Sequence, residues 1–276
     1  MCDTCGCNVT HANRHLVSRG GQLQHTAGGS ESVEVLENLL RANDHDAKHN
    51  REHFDRHHVL AVNLMSSPGA GKTALLENTI EGLAGELNVA VIEGDLETEN
   101  DAKRIREKGV PAIQISTGTA CHLDAHMIHH ALHELELEGL DIVFIENVGN
   151  LVCPASFDLG QHLNVTLLSS PEGDDKPAKY PVMFRAADLM LVTKSDLIEV
   201  LGDFDPASAE SHLRNLANTA EVIELSARTG AGVSLWIEWL QGQLKSVRQR
   251  VERGEFIRPA IQLEGVALHT TERTVR

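Results

Sequence analysis

The stretch Val62–Thr73, which reads VNLMSSPGAGKT, decides the fold because it leads from a short apolar run through a glycine-bearing turn into a helical pattern. Gly69 and Gly71 allow the backbone to wrap with its N–H groups pointing inward, where the following helix presents its positive dipole end. Lys72 is expected to reach the β- and γ-phosphates of a nucleotide, and the Thr73 hydroxyl to hold Mg²⁺. The stretch therefore predicts a phosphate-binding P-loop; the alternative is a Gly-rich turn before an amphipathic helix.

Length and charge limit the classes of partner. At 276 residues the chain is long enough for one large α/β domain with an extension. Acidic residues outnumber basic ones, 40 against 24, for a formal net charge of -16. Nucleic acid and anionic membranes both select a basic face, so neither is expected as a partner. The N-terminus lacks a signal-peptide pattern and no apolar run approaches the roughly 20 residues of a spanning helix, so we expect a cytoplasmic protein.

A second nucleotide motif follows a buried apolar run. The turn Thr193-Lys194-Ser195-Asp196 has the form of the [NT]-K-x-D turn that reads guanine. The Asp196 carboxylate can accept two hydrogen bonds from guanine, and a base without those donors would leave it unpaired. Lys194 would lay its alkyl stem along the base, and the run Ser226-Ala227-Arg228 resembles the companion turn that supports the guanine carbonyl. Together with the P-loop, these turns predict GTP rather than ATP.

Acidic residues at two strand ends suit Mg²⁺ binding and hydrolysis. Asp95 lies in IEGDLET and Glu146 in FIENVGN, where a carboxylate can contact Mg²⁺ directly or through water. Gly149 can point its N–H at the γ-phosphate. Asn150 follows it in place of the glutamine that orients water in Ras-type enzymes, which predicts slow intrinsic turnover. The residues predicted to serve catalysis are Lys72, Thr73, Asp95 and Glu146.

Beyond residue 58, short apolar runs alternate with amphipathic helical patterns. This alternation predicts an α/β fold, a mostly parallel sheet with helices on both faces of the P-loop NTPase kind, with ligand sites at the strand carboxyl ends. The strands are expected at 59–65, 89–93, 112–115, 141–145, 165–169, 190–193 and 222–225. We divide the chain into a flexible arm with a cysteine metal motif over 1–33, a His-rich helix over 34–58, the P-loop GTPase domain over 59–252 and a C-terminal tail over 253–276.

The five cysteines fall into two groups. Cys2, Cys5 and Cys7 place three soft ligands close enough together to wrap one thiophilic ion; the alternative is a redox pair or unliganded surface thiols. Cys121 with His122 follows a glycine turn and Cys153 comes just past the Glu146 segment, so the pattern predicts a Zn²⁺ or Ni²⁺ site at the nucleotide-facing edge. The alternative for a lone buried cysteine is a small hydrophobic residue.

Histidines recur every four residues at His45, His49, His53 and His57, which places them on one stripe of a helix. Each i,i+4 pair could grip a borderline metal through neutral imidazoles. A solvated polar helix that happens to be rich in histidine is an equal alternative. A further helix is expected from Cys121 to Leu135. On this helix His126 lies one turn beyond His122 and could be an extra ligand of the Cys121 site, while His129, His130 and His133 are interpreted as surface residues.

At this point the chain resembles the nickel-incorporation GTPases of [NiFe]-hydrogenase maturation, the HypB family. The resemblance extends over nearly the whole chain. The matching stretches are Cys2-x-x-Cys5-Gly6-Cys7, the loop Ser66 to Thr73, Gly94-Asp95 with Thr98 and Asp101-Ala102, Cys121 to His126, Glu146 to Leu151 with Cys153-Pro154, and Glu172 to Pro177 with Lys179-Tyr180-Pro181.

The resemblance implies a SIMIBI-class GTPase that dimerises with GTP, binds nickel and works with a small HypA-type metallochaperone to load the hydrogenase large subunit. The implied cofactors are GTP/GDP, Mg²⁺ and Ni²⁺, with Zn²⁺ possible at the same sites. The metal residues carried over are Cys2, Cys5, Cys7, Cys121, His122 and Cys153. The nucleotide residues are Gly69, Ala70, Gly71, Lys72, Thr73, Gly149, Thr193, Lys194, Asp196, Ser226, Ala227 and Arg228.

Two departures and two alternatives accompany this resemblance. Ser66 replaces the first glycine of the general P-loop pattern, as it does in the family, and Thr193 stands where asparagine is commoner, which should weaken support of the base loop. One alternative is a urease-accessory GTPase, a family that does not carry the terminal cysteine motif. The other is a nickel or zinc store with a vestigial GTPase, against which the intact Lys72, Thr73 and Asp196 argue.

Overall fold

The computed structural model describes residues 30–95, 100–118 and 120–255 of the chain, with side chains from residue 40 onward. The strands are β1 Leu60–Ser66, β2 Val89–Asp95, β3 Ala112–Ser116, β4 Ile142–Glu146, β5 Leu163–Ser169, β6 Leu189–Thr193 and β7 Glu221–Glu224. The helices are α1 Ser30–Arg56, α2 Lys72–Leu83, α3 Asn100–Glu107, α4 Ala125–Glu134, α5 Lys176–Lys179, α6 Pro181–Arg185, α7 Ile198–Leu201, α8 Pro206–Asn215 and α9 Val233–Glu252.

The strands form one seven-stranded sheet in the order β3-β2-β4-β1-β5-β6-β7, and every neighbouring pair runs parallel. The predicted α/β fold with a mostly parallel sheet is therefore confirmed. Register aligns Glu146 of β4 with Leu64 on β1 and with Glu93 on β2. The carboxyl ends of β1, β2 and β4 thus meet at one edge, where a ligand site is expected in open parallel sheets.

Three hydrophobic clusters cover the two faces of the sheet, because successive side chains of a strand point to opposite sides. On β1, Leu60 packs into the core that includes Trp236 of α9, whereas Ala61 packs into the core that includes Phe54 of α1. The indole N–H of Trp236 donates a 2.8 Å hydrogen bond to the Thr79 hydroxyl of α2. The continuous burial of β1 follows from helices lying on both sides of it.

Helix α1 is fastened to the sheet domain by buried polar contacts. The Arg51 guanidinium donates to both carboxylate oxygens of Asp158 at 2.6 and 2.7 Å, and both side chains are largely buried. Asn43 donates to the carbonyl of Asp158 at 2.7 Å and accepts from the backbone N–H of Ala125 at 2.9 Å. The helix predicted over 34–58 thus lies against α4 and the segment before β5.

Helix α4 begins later than the helical pattern suggests. The expected helix opens at Cys121, but Asp124 is the N-cap and its carboxylate accepts the backbone N–H of Met127 at 2.8 Å. Cys121 and His122 therefore lie in the turn that precedes α4.

In the described part of the chain, helix length and apolarity fall short of what a membrane crossing requires.

Candidate functional site

The P-loop lies between β1 and α2 and has the backbone that its glycines predict. Gly69 has φ 75° and Gly71, the N-cap of α2, has φ 98°, both in the left-handed region that residues with a side chain rarely adopt. The Lys72 ammonium donates to the Ser66 hydroxyl at 3.0 Å. Ser66 therefore contributes a polar partner for the lysine at the position where the general pattern has glycine.

A group of oxygen donors lies beside the P-loop. The Thr73 hydroxyl donates to Oε1 of Glu146 at 2.9 Å, while Oε2 of Glu146 and Oε2 of Glu93 are buried without a hydrogen-bond partner among the described residues. Buried orphan carboxylate oxygens next to a hydroxyl form a donor set that a hard cation such as Mg²⁺ would satisfy. Asp95 ends β2 at the same edge of the sheet. The donor set therefore fits the predicted cation.

Burial dominates the electrostatics of these acids. It raises the pKa of Glu93 to about 9, with Glu146 and Asp101 adding charge repulsion. The pKa of Glu146 is also raised by burial, although the Lys72 ammonium opposes the shift. Glu93 was not identified as a site residue from the sequence. The signal that could have identified it is a glutamate that follows four apolar residues within the same strand, in VAVIEGD.

The predicted base-reading turn packs directly onto the P-loop. The Thr193 hydroxyl donates to the carbonyl of Ala70 at 2.7 Å, and the Lys194 ammonium donates to the carbonyl of Gly69 at 2.8 Å. Lys194 has φ 56°, a left-handed conformation that is uncommon for a residue with a side chain. Thr193, which departs from the commoner asparagine, thus still ties the turn to the phosphate loop.

Asp196 is held by the turn after β7. The Ser226 hydroxyl donates to Oδ1 of Asp196 at 2.6 Å, which leaves the second oxygen for another donor. The same turn needs Gly232, because a Cβ at this position would lie 2.0 Å from the carbonyl oxygen of Glu224. Ala227 is half-buried and Arg228 is exposed. The structure therefore brings the two predicted base-binding turns together.

The segment after β4 lies against the P-loop. A Cβ on Gly149 would come within 2.7 Å of the Cα of Pro68, so a glycine is needed for this approach. The backbone N–H of Asn150 donates to the carbonyl of Ser66 at 2.8 Å, and its side-chain amide donates to the carbonyl of Cys121 at 3.2 Å. Asn150 therefore connects the phosphate loop with the predicted metal residues.

Cys121, His122 and Cys153 are brought together as a candidate metal centre. Their ligand atoms all lie within 4.8 Å of one another, with 3.1 Å between the two sulfurs and 3.7 Å between Cys121 Sγ and His122 Nδ1. His122 stacks on Phe157 with ring centroids 4.0 Å apart, and burial lowers its pKa to about 4. Two thiols and a neutral imidazole suit Zn²⁺ or Ni²⁺. Cys2, Cys5 and Cys7 lie outside the described residues.

The fold and these loops define a P-loop nucleotide-binding protein. A family model described as "CobW/HypB/UreG, nucleotide-binding domain" matches residues 60–224. The hydrogenase maturation factor HypB of Azotobacter vinelandii is 50% identical over 234 residues, which cover 84% of this chain and 76% of that protein. The factor of the same name from Escherichia coli K12 is 49% identical over 221 residues, covering 79% of this chain and 76% of that protein.

Two solved structures agree with these relatives. HypB from Helicobacter pylori in complex with nickel is similar with a TM-score of 0.71 and 41% identity, covering 74% of this chain and 96% of that chain. The hydrogenase maturation factor HypB from Archaeoglobus fulgidus gives a TM-score of 0.69 at 41% identity, covering 74% and 100%. The chain belongs to the HypB family of hydrogenase maturation factors, as its resemblance predicts.

Proposed function

We propose that the chain is a GTP-hydrolysing nickel metallochaperone that inserts nickel into the large subunit of [NiFe]-hydrogenase during maturation. The relatives named hydrogenase maturation factors and the nickel complex of one of them support this function. Nickel is the cargo rather than a resident cofactor. The observation that carries the proposal is that the candidate metal centre is joined to the P-loop through Asn150.

The nucleotide half of the function rests on the P-loop and the two base turns. Asp196, fixed by Ser226, is positioned to accept the paired donors of guanine, which selects GTP. Gly69 and Gly71 direct backbone N–H groups toward the phosphates, and Lys72 adds a positive charge. Thr73, Asp95 and Glu146 would hold Mg²⁺, which offsets the negative charge of the phosphates when it is bound. With Asn150 in place of a water-orienting glutamine, intrinsic hydrolysis is slow.

The nickel half rests on thiolates and one imidazole. Because burial keeps His122 neutral near pH 7, its ring nitrogen offers a lone pair to a metal. Three ligands leave a coordination position open, as a site that must pass on its cargo requires. Cys2, Cys5 and Cys7 form the second, terminal nickel site.

We further propose that this chain works in the cytoplasm as a GTP-dependent homodimer. Cys121 and Cys153 are only partly buried, so a second copy could approach their sulfurs and close the coordination shell. A HypA-type metallochaperone and the hydrogenase large subunit are the expected partners in transfer. The acidic composition, with 40 acidic against 24 basic residues, does not favour nucleic acid as a partner.

The test is a nickel titration with sizing of the full chain, performed with GDP and with a non-hydrolysable GTP analogue. Cys121→Ala should remove the nucleotide-sensitive nickel phase and metal-dependent dimerisation, whereas Cys5→Ala should remove only the nucleotide-independent phase. Lys72→Ala should abolish the response to nucleotide and leave the Cys5-dependent phase. If either cysteine change eliminated both phases, the cysteines would form one shared site and the two-site account would be wrong.

A further inference from the structure

Seven histidines meet where α1 packs on α4, and none of them belongs to the candidate metal centre of Cys121, His122 and Cys153. We call this group the α1–α4 histidine cluster. Its members on α1 are His45, His49 and His53, and its members on α4 are His126, His129, His130 and His133. The α4 members are half-buried or exposed, so solutes can reach them. Only a structure could reveal the cluster, because it draws its residues from two helices about 80 positions apart in sequence.

Two pairs on α4 have the nitrogen spacing of metal-bound imidazoles. Nε2 of His126 lies 3.0 Å from Nε2 of His130, and Nε2 of His129 lies 3.2 Å from Nε2 of His133. With metal–nitrogen bonds of about 2.0–2.1 Å, two imidazole nitrogens on one ion lie about 3.0–3.4 Å apart. Both pairs follow the i,i+4 spacing that places two side chains on one helical face.

Groups on α1 orient the first ring of each pair. The Asn50 amide nitrogen donates to the carbonyls of Ala125 and Leu159, at 2.8 and 3.0 Å, so its oxygen must be the atom 3.2 Å from Nδ1 of His129. Nδ1 of His129 therefore carries the proton, and Nε2 presents its lone pair to His133. Asp46 lies 3.4 Å from Nδ1 of His126 and favours the same tautomer there.

This arrangement is the one that protein metal sites use to orient histidine ligands: the second nitrogen donates to a carboxylate or carbonyl oxygen, which fixes the ring and raises ligand basicity. Two histidines of α1 lie across the interface from α4: the ring centroids of His49 and His53 are each 6.3 Å from that of His129.

We propose that the α1–α4 histidine cluster is a further transition-metal site, in which His129 with His133, and His126 with His130, bind borderline divalent cations such as Ni²⁺ or Zn²⁺ through Nε2. Because α4 has ten residues and begins just after the turn that holds Cys121, the cluster's α4 members lie within about 15 Å of the helix start, which is beside the thiol centre. The cluster can therefore hold metal beside that centre.

The experiment removes the thiol sites and asks what remains. The full chain with all five cysteines changed to serine is titrated with Ni²⁺ by calorimetry, and Co²⁺ absorption reports the ligand type. We expect at least one ion per chain with nitrogen-only Co²⁺ spectra. His129→Asn with His133→Asn should weaken this binding at least tenfold, and adding His126→Asn with His130→Asn should abolish it. His57→Asn with His212→Asn is the matched control and should change nothing.

Three results would overturn the proposal. They are no Ni²⁺ binding by the folded cysteine-free chain, undiminished binding after the four α4 substitutions, or an equal loss in the control. The second result would place the ions on histidines such as His11 and His15 instead. Should the cysteine-free chain fail to fold, Co²⁺ broadening of imidazole NMR signals in the natural chain decides. The imidazole signals of His129 and His133 must broaden while that of His212 remains sharp.

Discussion

The side-chain amide of Asn150 donates a 3.2 Å hydrogen bond to the carbonyl of Cys121, while its backbone N–H donates a 2.8 Å hydrogen bond to the carbonyl of Ser66. One residue thus touches both the phosphate loop and the turn that carries two of the candidate nickel ligands. A nucleotide that moves the P-loop would move the carbonyl of Cys121 with it. By linkage, the effect of nucleotide on nickel affinity must equal the effect of nickel on nucleotide affinity.

Asn150→Ala should uncouple nickel from nucleotide. The variant keeps the backbone contact to Ser66 and every proposed ligand, so nickel and GTP should each still bind. The ratio of nickel affinities between the GTP-analogue and GDP forms should fall toward one, from the 5- to 150-fold range typical of allosteric coupling. Asn78→Ala, which removes a contact to the Ala74 carbonyl within α2, is the control and should preserve the ratio. An unchanged ratio in Asn150→Ala would place the coupling elsewhere.

Asp196→Asn should shift base preference from guanine to xanthine. Xanthine presents an oxygen where guanine has an amino group, and that oxygen accepts a hydrogen bond from an amide but repels a carboxylate. Ser226→Ala should have a milder effect and lower the affinity for GTP by up to about tenfold, because it removes one 2.6 Å hydrogen bond that positions Asp196. Competition between GTP and xanthosine triphosphate measures both effects. An unchanged preference in Asp196→Asn would mean that another residue reads the base.

Local motifs explain what could be predicted from the sequence. The parallel α/β fold follows from buried strands alternating with helices, and the P-loop backbone follows from Gly69 and Gly71 within a few residues of Lys72. Such features depend on short spacing and need no knowledge of packing. The start of α4 was misplaced because the apolar pattern runs through Cys121, whereas the helix begins where the Asp124 side chain caps it.

The features that could not be predicted depend on register and on helix packing. The pKa of Glu93 is raised chiefly by burial, and the β2–β4 register adds charge repulsion by setting this residue opposite Glu146. One residue of slippage would turn Glu93 to the other face of the sheet. The stripe of His45, His49 and His53 is visible in the sequence, but the helix that it faces is not. The spacing of residues within a short stretch of sequence does not predict contacts between segments that are distant along the chain.

Gly149→Ala should damage nucleotide binding. Its backbone conformation is ordinary, so the cost lies in the contact, where the new Cβ would come 2.7–2.8 Å from backbone atoms of Pro68 and push the segment off the P-loop. GTP affinity and hydrolysis should both fall at least tenfold. Gly242→Ala at an exposed position of α9, where a Cβ meets nothing within 4 Å, is the control. It should raise stability by about 0.5–1 kcal/mol and leave GTP binding intact.

The buried pair His162 and Asp55 should make stability depend on pH. Nδ1 of His162 accepts the backbone N–H of Ala61 at 2.9 Å, and Nε2 lies 3.0 Å from Asp55, so the neutral ring satisfies both contacts. Burial lowers the pKa of His162 in the folded chain, despite the opposing effect of Asp55. Protonation at Nδ1 would also break the contact with Ala61.

The sign of the effect follows from this lowered pKa. Above the unfolded pKa of about 6.5 both states are neutral at this residue, and stability is unaffected. As the pH falls below that value only the unfolded chain takes up the proton, so the free energy of unfolding drops by up to about 1.4 kcal/mol per pH unit until the folded pKa is reached. His162→Gln, which lacks a titrating group, should lose this contribution. Urea unfolding of the unsubstituted chain and of His162→Gln at pH 7, 6 and 5 measures the difference in their free energies of unfolding. Contributions common to the two chains, such as that of Glu93, cancel in this difference. Parallel pH profiles of the two chains would show that His162 titrates alike in the folded and unfolded states.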